Sequence, residues 1–132
     1  MPLTRITLHQ GKPQHFLNTL SRLLQQTLES HFAVPACDCF QIFEQLAPGQ
    51  LVYDTHYLGG PRSADFMLLQ ITAGRPRSAL TKRDFYLQLV SQLELQLAVR
   101  PQDVMIVIST TQPEDWSFAN GQQFISPAAP RA

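Results

Sequence analysis

The feature that most constrains the fold of this chain is a pattern of strand, helix and strand that occurs twice. Each copy has an apolar run, a Gly-basic-Pro triplet, a segment with helical spacing and an Ala-Val turn. Gly11 and Gly74 mark the triplets and lie 63 residues apart, whereas Ala33 and Ala98 mark the turns and lie 65 apart. Similarity at one nearly constant spacing indicates an internal duplication of a β-α-β unit.

The spacing of hydrophobic residues predicts the elements within each unit. The two units are assigned to about 2–47 and 65–110, and a tail covers 111–132. Strands are predicted at 3–10, 39–46, 66–71 and 104–108, a further short strand is predicted at 51–53, and helices end near 32 and 97.

Two such units predict an α/β (α+β) fold with one four-stranded mixed sheet. Right-handed crossovers place both helices on the same face of the sheet. The length of 132 residues is typical of a single domain, here 1–132. Strands of the second unit are apolar without alternation, which is typical of burial on both faces. Since two helices cover only one face, we expect another copy of the chain to cover the other, and hence an obligate oligomer.

The composition argues against several classes of partner. Ten basic and ten acidic residues give a net charge of zero, so neither nucleic acid nor an anionic membrane is an expected partner. The first residues form no apolar run long enough for a secretory signal. No apolar run approaches the roughly 20 residues that a membrane-spanning helix needs. We therefore expect a cytoplasmic protein.

Neither a metal site nor a cofactor is expected. Cys37 and Cys39 are two residues apart, and no third or fourth thiol completes a zinc site. The four histidines show no paired ligand spacing: His9, His15, His31 and His56. The chain also has no phosphate-binding glycine loop and no dinucleotide fingerprint.

The second residue is a candidate acid or base. An initiator methionine is usually removed before a small residue, and Pro2 would then carry a free secondary amine. The ring fixes the position of such an amine, while burial and neighbouring charges shift its pKa. Pro2 is therefore the first candidate for a catalytic group.

A second set of residues suits a small anionic substrate. Arg75-Pro76-Arg77 follows a predicted strand and opens a predicted helix, whose free amides and positive dipole end favour an anion. Arginine also binds carboxylates through two parallel hydrogen bonds.

Asp38 precedes a strand and either forms a turn or faces the same site. Trp116 and Phe118 either wall a small pocket or attach the tail to a neighbouring subunit.

Together these residues resemble the malonate semialdehyde decarboxylase branch of the tautomerase superfamily. The resemblance extends over nearly the whole chain. It is carried by five motifs in order: Pro2, Val34-Pro35-Ala36-Cys37-Asp38, Pro48-Gly49, Arg75-Pro76-Arg77-Ser78 and Asp115-Trp116-Ser117-Phe118. One departure is Cys39-Phe40, where that family has arginine and tyrosine, so that a hydroxyl is missing here.

The resemblance implies a homotrimer with active sites near the subunit interfaces. It implies that Pro2 is the acid or base and that Asp38 is its polar partner. Arg75 and Arg77 would bind the carboxylate of the substrate. The apolar wall of the site would consist of Trp116, Phe118 and Phe124.

Three functions remain open from the sequence. Decarboxylation of malonate semialdehyde or a similar 3-oxo acid benefits from a cationic proline. Keto-enol tautomerisation or hydration of a 2-oxo acid such as phenylpyruvate needs a neutral proline. A non-catalytic trimeric binding module needs neither. A nearby carboxylate favours the cation and nearby arginines oppose it, so the positions of Asp38 and the arginines decide between the first two.

Overall fold

The computed structural model describes residues 1–126 and consists of two α-helices, four β-strands and two short 3-10 helices. The elements are β1 (Pro2–His9), α1 (Gln14–Phe32), β2 (Phe40–Leu46), β3 (Met67–Ala73), α2 (Ala79–Leu97) and β4 (Val104–Thr110), with 3-10 helices at Pro101–Asp103 and Pro113–Asp115. Residues 127–132, the end of the predicted tail, lie outside the described residues. Within 1–126 neither long helix has the length and apolar character that crossing a membrane requires.

The four strands form one mixed sheet in the order β2-β1-β3-β4. Strand β1 runs parallel to β2, and β3 runs parallel to β4, while the two inner strands β1 and β3 are antiparallel. Each unit is thus a β-α-β crossover, and the two units meet at the centre of the sheet. The predicted four-stranded mixed sheet is confirmed.

The predicted strand at 51–53 is wrong, because no strand forms between β2 and β3. Tyr53 instead packs its ring on Phe66, with the ring centroids 4.3 Å apart, and donates a hydrogen bond to the carbonyl of Ser63 at 2.6 Å. Side-chain packing therefore fixes this segment of the connection, without pairing to a neighbouring strand.

Both helices end in the same way. Each is 19 residues long and is followed by an alanine in the left-handed conformation, Ala33 with φ 54° and Ala98 with φ 53°. The next residues, Val34 and Val99, are buried and donate hydrogen bonds back to the last turn of their helix. This arrangement satisfies carbonyls that a helix end leaves without partners.

The duplication has a uniform offset of 65 residues. Helix α2 begins 65 residues after α1, and the strand pair Leu3–Phe40 recurs as Leu68–Met105. In this register the counterpart of Pro2 is Met67, so the second unit begins two residues later than the glycine spacing predicted.

The core lies between the helices and one face of the sheet. The inner face of the sheet contributes alternate residues such as Ile6, Leu69 and Ile71, which are almost fully buried. Near the helix ends Phe32 of α1 stacks on Phe85 of α2, with centroids 4.5 Å apart. Both helices thus pack on the same face, as predicted.

The opposite face of the sheet is open in the single chain and carries exposed apolar side chains. Five large apolar side chains on it are between 36% and 50% exposed: Leu3, Phe40, Ile42, Met105 and Val107. In this single chain, strand β4 therefore alternates between packed and exposed positions. Exposed apolar side chains thus occur on β1, β2 and β4, and an apolar patch of this extent marks a contact region. We therefore expect another copy of the chain to cover this face.

Replacing either helix-ending alanine by glycine should stabilise the protein. Alanine in the left-handed conformation carries a steric cost that glycine avoids, so Ala33→Gly and Ala98→Gly should each add about 0.5–1 kcal/mol to the free energy of unfolding. Chemical denaturation measures this change. Glycine in the exposed middle of α2 should have the opposite effect, and Gln88→Gly is the control. A loss of stability in both alanine variants would contradict this account of the helix ends.

A charge on the open face should disrupt assembly. Val107→Glu places a carboxylate where we expect contact with another copy, and burial of an unpaired charge is costly. The native mass, measured by light scattering, should fall toward that of one chain. Ser91→Glu, on the exposed side of α2, is the matched control and should leave the mass unchanged. An unchanged mass in Val107→Glu would show that this face is not the interface.

Candidate active site

The first residues of the chain lie inside the sheet, at one end of an inner strand. Pro2 is buried and pairs with Ala73 of β3. Met1 extends this pairing by one step, because its carbonyl oxygen accepts a hydrogen bond from the backbone N–H of Gly74 at 2.9 Å. The amino group of Met1 lies 2.7 Å from Oδ2 of Asp38. The chain start, Asp38 and Gly74 therefore meet at one point.

Asp38 is held by the turn that connects α1 to β2. Its backbone N–H donates to the carbonyl of Pro35 at 3.0 Å, and its own carbonyl accepts from the Gln25 side chain of α1 at 3.2 Å. The Asp38 side chain is only 15% exposed. The backbone of Asp38 is thus fixed from two sides, and its carboxylate contacts the amino group of the chain.

The second unit has an aspartate at the corresponding position. Asp103 lies 65 residues after Asp38, is fully buried, and accepts hydrogen bonds from the backbone N–H and the hydroxyl of Ser63, each at 2.7 Å. Both aspartates therefore anchor the chain just ahead of an inner strand. Asp103 anchors an internal residue through neutral donors, whereas Asp38 binds the charged amino group.

Arg75 and Arg77 follow β3 and come just before Ser78, the N-cap of α2, as predicted, but their guanidinium groups reach the end of α1. Arg75 and Arg77 both donate to the carbonyl oxygen of Phe32, at 3.0 and 2.7 Å, and the Arg77 guanidinium lies over the Phe32 ring. Helix α2 begins at Ala79, and Ser78 caps it by accepting from a backbone N–H. The negative end of the α1 dipole explains why guanidinium groups gather there.

The arginine pair carries positive charge that no carboxylate balances. Among the ion pairs of residues 1–126, none involves Arg75 or Arg77. Burial, and then the charge of Arg75, lower the pKa of Arg77 to about 10. The Nε of Arg77 is buried and has no hydrogen-bond partner within the described residues. A bound carboxylate or phosphate would relieve both conditions.

The predicted aromatic wall forms a cluster on the open face of the sheet. Trp116 and Phe118 stack with centroids 5.5 Å apart, and Phe124 meets Phe118 edge-on at 5.4 Å. The indole N–H of Trp116 donates to the Thr111 hydroxyl at 2.7 Å, which fixes the cluster beside β4. The cluster also reaches Phe40, whose ring lies 6.1 Å from that of Phe118.

A small cavity separates this cluster from the first strand. It is lined by Leu3 and Phe40 together with Trp116, Ser117 and Phe118. Leu3 follows Pro2 directly, and Phe40 is two residues after Asp38. The aromatic side chains therefore lie next to the point where the chain start and Asp38 meet, on the side of the sheet that we expect another copy to cover.

Sequence patterns did not select Gly74, whose backbone N–H donates to the carbonyl oxygen of Met1. The available signal was a glycine between a strand and the arginine pair, which in the sequence serves only as a marker of the repeated triplet. Elsewhere in residues 1–126 no cluster of three or more potential metal ligands is present. An amino group in contact with a carboxylate can carry out acid–base chemistry, and a pair of guanidinium groups can bind a carboxylate.

Comparisons with known proteins agree on one family. A family model described as tautomerase enzyme matches residues 38–119. The probable tautomerase YusQ of Bacillus subtilis is 33% identical over 92% of this chain and 96% of its own length.

Crystal structures of malonate semialdehyde decarboxylase are also similar. One has 32% identity and a TM-score of 0.84, covering 91% of this chain and 92% of that one. Another, of the FG41 enzyme inhibited by 3-bromopropiolate, has 27% identity and a TM-score of 0.83, covering 91% of each chain.

Small carboxylates should stabilise the protein through the arginine pair. Added malonate should raise the midpoint of thermal unfolding by a few degrees, because a ligand that binds only the folded state stabilises it. Sodium chloride at equal ionic strength serves as the reference. The effect should disappear in Arg75→Gln/Arg77→Gln and persist in Arg83→Gln, whose arginine is exposed and paired with Asp84. An equal rise in the double variant would mean that the arginine pair is not the anion site.

Proposed function

Because the chain belongs to the tautomerase superfamily, in the branch of malonate semialdehyde decarboxylase, we propose that it decarboxylates malonate semialdehyde or a similar 3-oxo acid. Pro2 is the acid–base group in this proposal, once Met1 has been removed, and no cofactor takes part. The observation that carries the proposal is the 2.7 Å contact between Asp38 and the amino group of the chain.

Removal of Met1 would transfer the chain terminus to Pro2. The Pro2 nitrogen is three covalent bonds from the Met1 nitrogen, so it lies within about 6.5 Å of the Asp38 carboxylate. Pairing of Pro2 with Ala73 holds the ring at the end of the strand. A buried amine in a fixed ring, facing a fixed carboxylate, is suited to proton transfer.

The charges around Pro2 favour its cationic form. A carboxylate about 6 Å away, at an effective dielectric constant of about 20, stabilises the cation by about 3 kcal/mol. Arg75 and Arg77 oppose this effect, and the Phe32 carbonyl at the negative end of the α1 dipole, which accepts a hydrogen bond from each of them, offsets part of their charge. Asp38 therefore supports a protonated Pro2, which suits a decarboxylase better than a tautomerase.

The proposed reaction uses this proton at the carbonyl oxygen of the substrate. The bond between the carboxylate carbon and C2 breaks, and its electron pair moves into the C2–C3 bond while the carbonyl oxygen gains negative charge. The Pro2 ammonium donates a hydrogen bond to this oxygen and stabilises it. Carbon dioxide leaves, and the enolate takes up one proton at C2, so malonate semialdehyde gives acetaldehyde.

Arg75 and Arg77 bind the substrate carboxylate in this proposal. Within residues 1–126 no carboxylate pairs with either arginine, and the buried Nε of Arg77 has no hydrogen-bond partner there. Bidentate binding can hold the carboxylate out of the plane of the carbonyl group, so that the breaking bond overlaps the π system. Trp116, Phe118 and Phe124 supply the apolar wall, which keeps water away from the developing enolate.

A tautomerase of 2-oxo acids such as phenylpyruvate, or a hydratase, is the second candidate. The name of YusQ, a probable tautomerase, favours it. It needs a neutral Pro2 that removes a proton from carbon. A non-catalytic trimeric binding module is the third candidate, and it predicts that the state of the amino terminus has no effect.

The proposal includes a homotrimer in the cytoplasm. The apolar open face of the sheet supports assembly, since Phe40 and its neighbours are exposed in the single chain. The aromatic cluster borders that face, so assembly would enclose the site. Light scattering on the purified protein gives the number of chains.

Activity assays on two substrates test the proposal. Wild-type protein should decarboxylate malonate semialdehyde faster than it ketonises phenylpyruvate enol, and intact-mass measurement should show loss of Met1. Pro2→Ala, Asp38→Asn and Arg75→Ala should each lower kcat/KM for decarboxylation by about 10²-fold or more, in the range for loss of an acid–base group.

Arg83→Gln, which changes an exposed arginine in the second turn of α2 that pairs with Asp84, is the matched control and should retain full activity. Full turnover by Pro2→Ala would rule out the mechanism. Faster phenylpyruvate turnover would favour the tautomerase. Inactivity on both substrates, with Met1 retained, would favour the binding module.

A further inference from the structure

We propose that the backbone N–H of Gly74 binds the carbonyl oxygen of the substrate and that residue 74 is a glycine because the substrate occupies the space beside it. This inference rests on the proposed function, since it requires that Met1 be absent from the working protein. It adds a substrate-binding donor that the sequence patterns did not select.

Met1 occupies the space beside Gly74 in the chain that retains it. A Cβ added to Gly74 would lie 2.8 Å from Cε of Met1, 2.9 Å from its Cβ and 3.2 Å from its carbonyl oxygen. These are the three nearest atoms, and all belong to Met1. Removal of Met1 therefore opens a space directly against the Cα of Gly74.

The backbone conformation does not require glycine at this position. Five of the six glycines have a positive φ, for example 112° at Gly11 and 89° at Gly49, where a side chain would be strained. Gly74 is the exception and adopts a φ that any residue tolerates. Backbone conformation therefore does not explain the glycine at position 74, whereas the need for space beside its Cα does.

Removal of Met1 also leaves hydrogen-bonding groups without partners. The N–H of Gly74 continues the ladder between β1 and β3 by one step, and Met1 is its acceptor. Asp38 loses the amino group at the same time. A buried N–H without a partner is unfavourable, so this donor is available to a ligand oxygen.

The position of the Met1 carbonyl shows where such an oxygen would sit. In a peptide bond the carbonyl oxygen lies about 2.2 Å from the next nitrogen, which here is that of Pro2. A substrate oxygen slightly farther out can accept from both Gly74 and the Pro2 ammonium. Two donors aimed at one oxygen stabilise the negative charge that it gains as carbon dioxide leaves.

The ligand class follows from the neighbouring residue. Arg75 comes directly after Gly74, so one end of the ligand meets a backbone N–H and the other a guanidinium group. A short acid with a carbonyl oxygen and a carboxylate satisfies both. The second unit offers no such space, because the counterpart of Met1 is Phe66, an internal residue that is almost fully buried.

Gly74→Ala in the processed protein tests this inference. An added methyl group should lower kcat/KM for malonate semialdehyde at least tenfold, while the midpoint of thermal unfolding stays within a few degrees of wild type, because the clashing atoms of Met1 are absent. Full activity in Gly74→Ala, with an active wild type, would overturn this inference alone. Inactivity of wild type on both substrates would overturn the proposed function, and the inference with it.

Amide NMR with glycine labelling gives a second measurement that does not depend on the variant. The chain has six glycines, so their amide signals are few. Saturating malonate should move the Gly74 proton downfield, as expected for a new hydrogen bond to a carboxylate, and should leave Gly11 and Gly49 unchanged. An unmoved Gly74 signal when malonate is bound would overturn the inference even if Gly74→Ala does not fold.

Discussion

The structure depends on the fact that its first strand is an inner strand. Because β1 lies between β2 and β3, the beginning of the chain is flanked by two strands and largely shielded from solvent. A charged amino group in such a place requires an acceptor, and Asp38 supplies one at 2.7 Å. The turn that holds Asp38 and the register that aligns Gly74 with Met1 both bring their groups to this point. In the proposed function the terminus at this point is the acid–base group.

The duplication shows how one scaffold yields a site in only one of its halves. Both units place an aspartate ahead of an outer strand, and both aspartates anchor the chain as it approaches an inner strand. In the second unit Ser63 satisfies Asp103 with neutral donors, and the surrounding chain is continuous. In the first unit the partner of Asp38 is the amino group itself. The two aspartates thus differ in the group that they hold ahead of the inner strand. Asp103 holds an internal serine, whereas Asp38 holds the amino group of the chain.

The fold was largely predictable because its signals are local. Leucines at helical spacing predicted α1, and the Ala-Val turns predicted where both helices end. The strand expected at 51–53 was wrong, since Tyr53 packs on Phe66, a contact between residues distant in sequence. The contact that the side chains of Arg75 and Arg77 make was not predicted, for a similar reason. Their partner is the carbonyl of Phe32, more than 40 residues earlier, and no local pattern indicates such a contact. Gly74 was marked only by its place in the repeated triplet, because the role that we propose for it depends on the space beside its Cα and not on a side chain.

The enclosed chain start also has a practical consequence for producing the protein. An affinity tag or fusion partner placed ahead of Met1 would remove the charged amine from Asp38 and would have to leave the sheet between two paired strands. A fusion at the amino end would therefore alter this contact. Measurements on protein purified in that form would describe a molecule whose amino terminus is blocked. A tag that a protease removes completely, down to Pro2, avoids this difficulty.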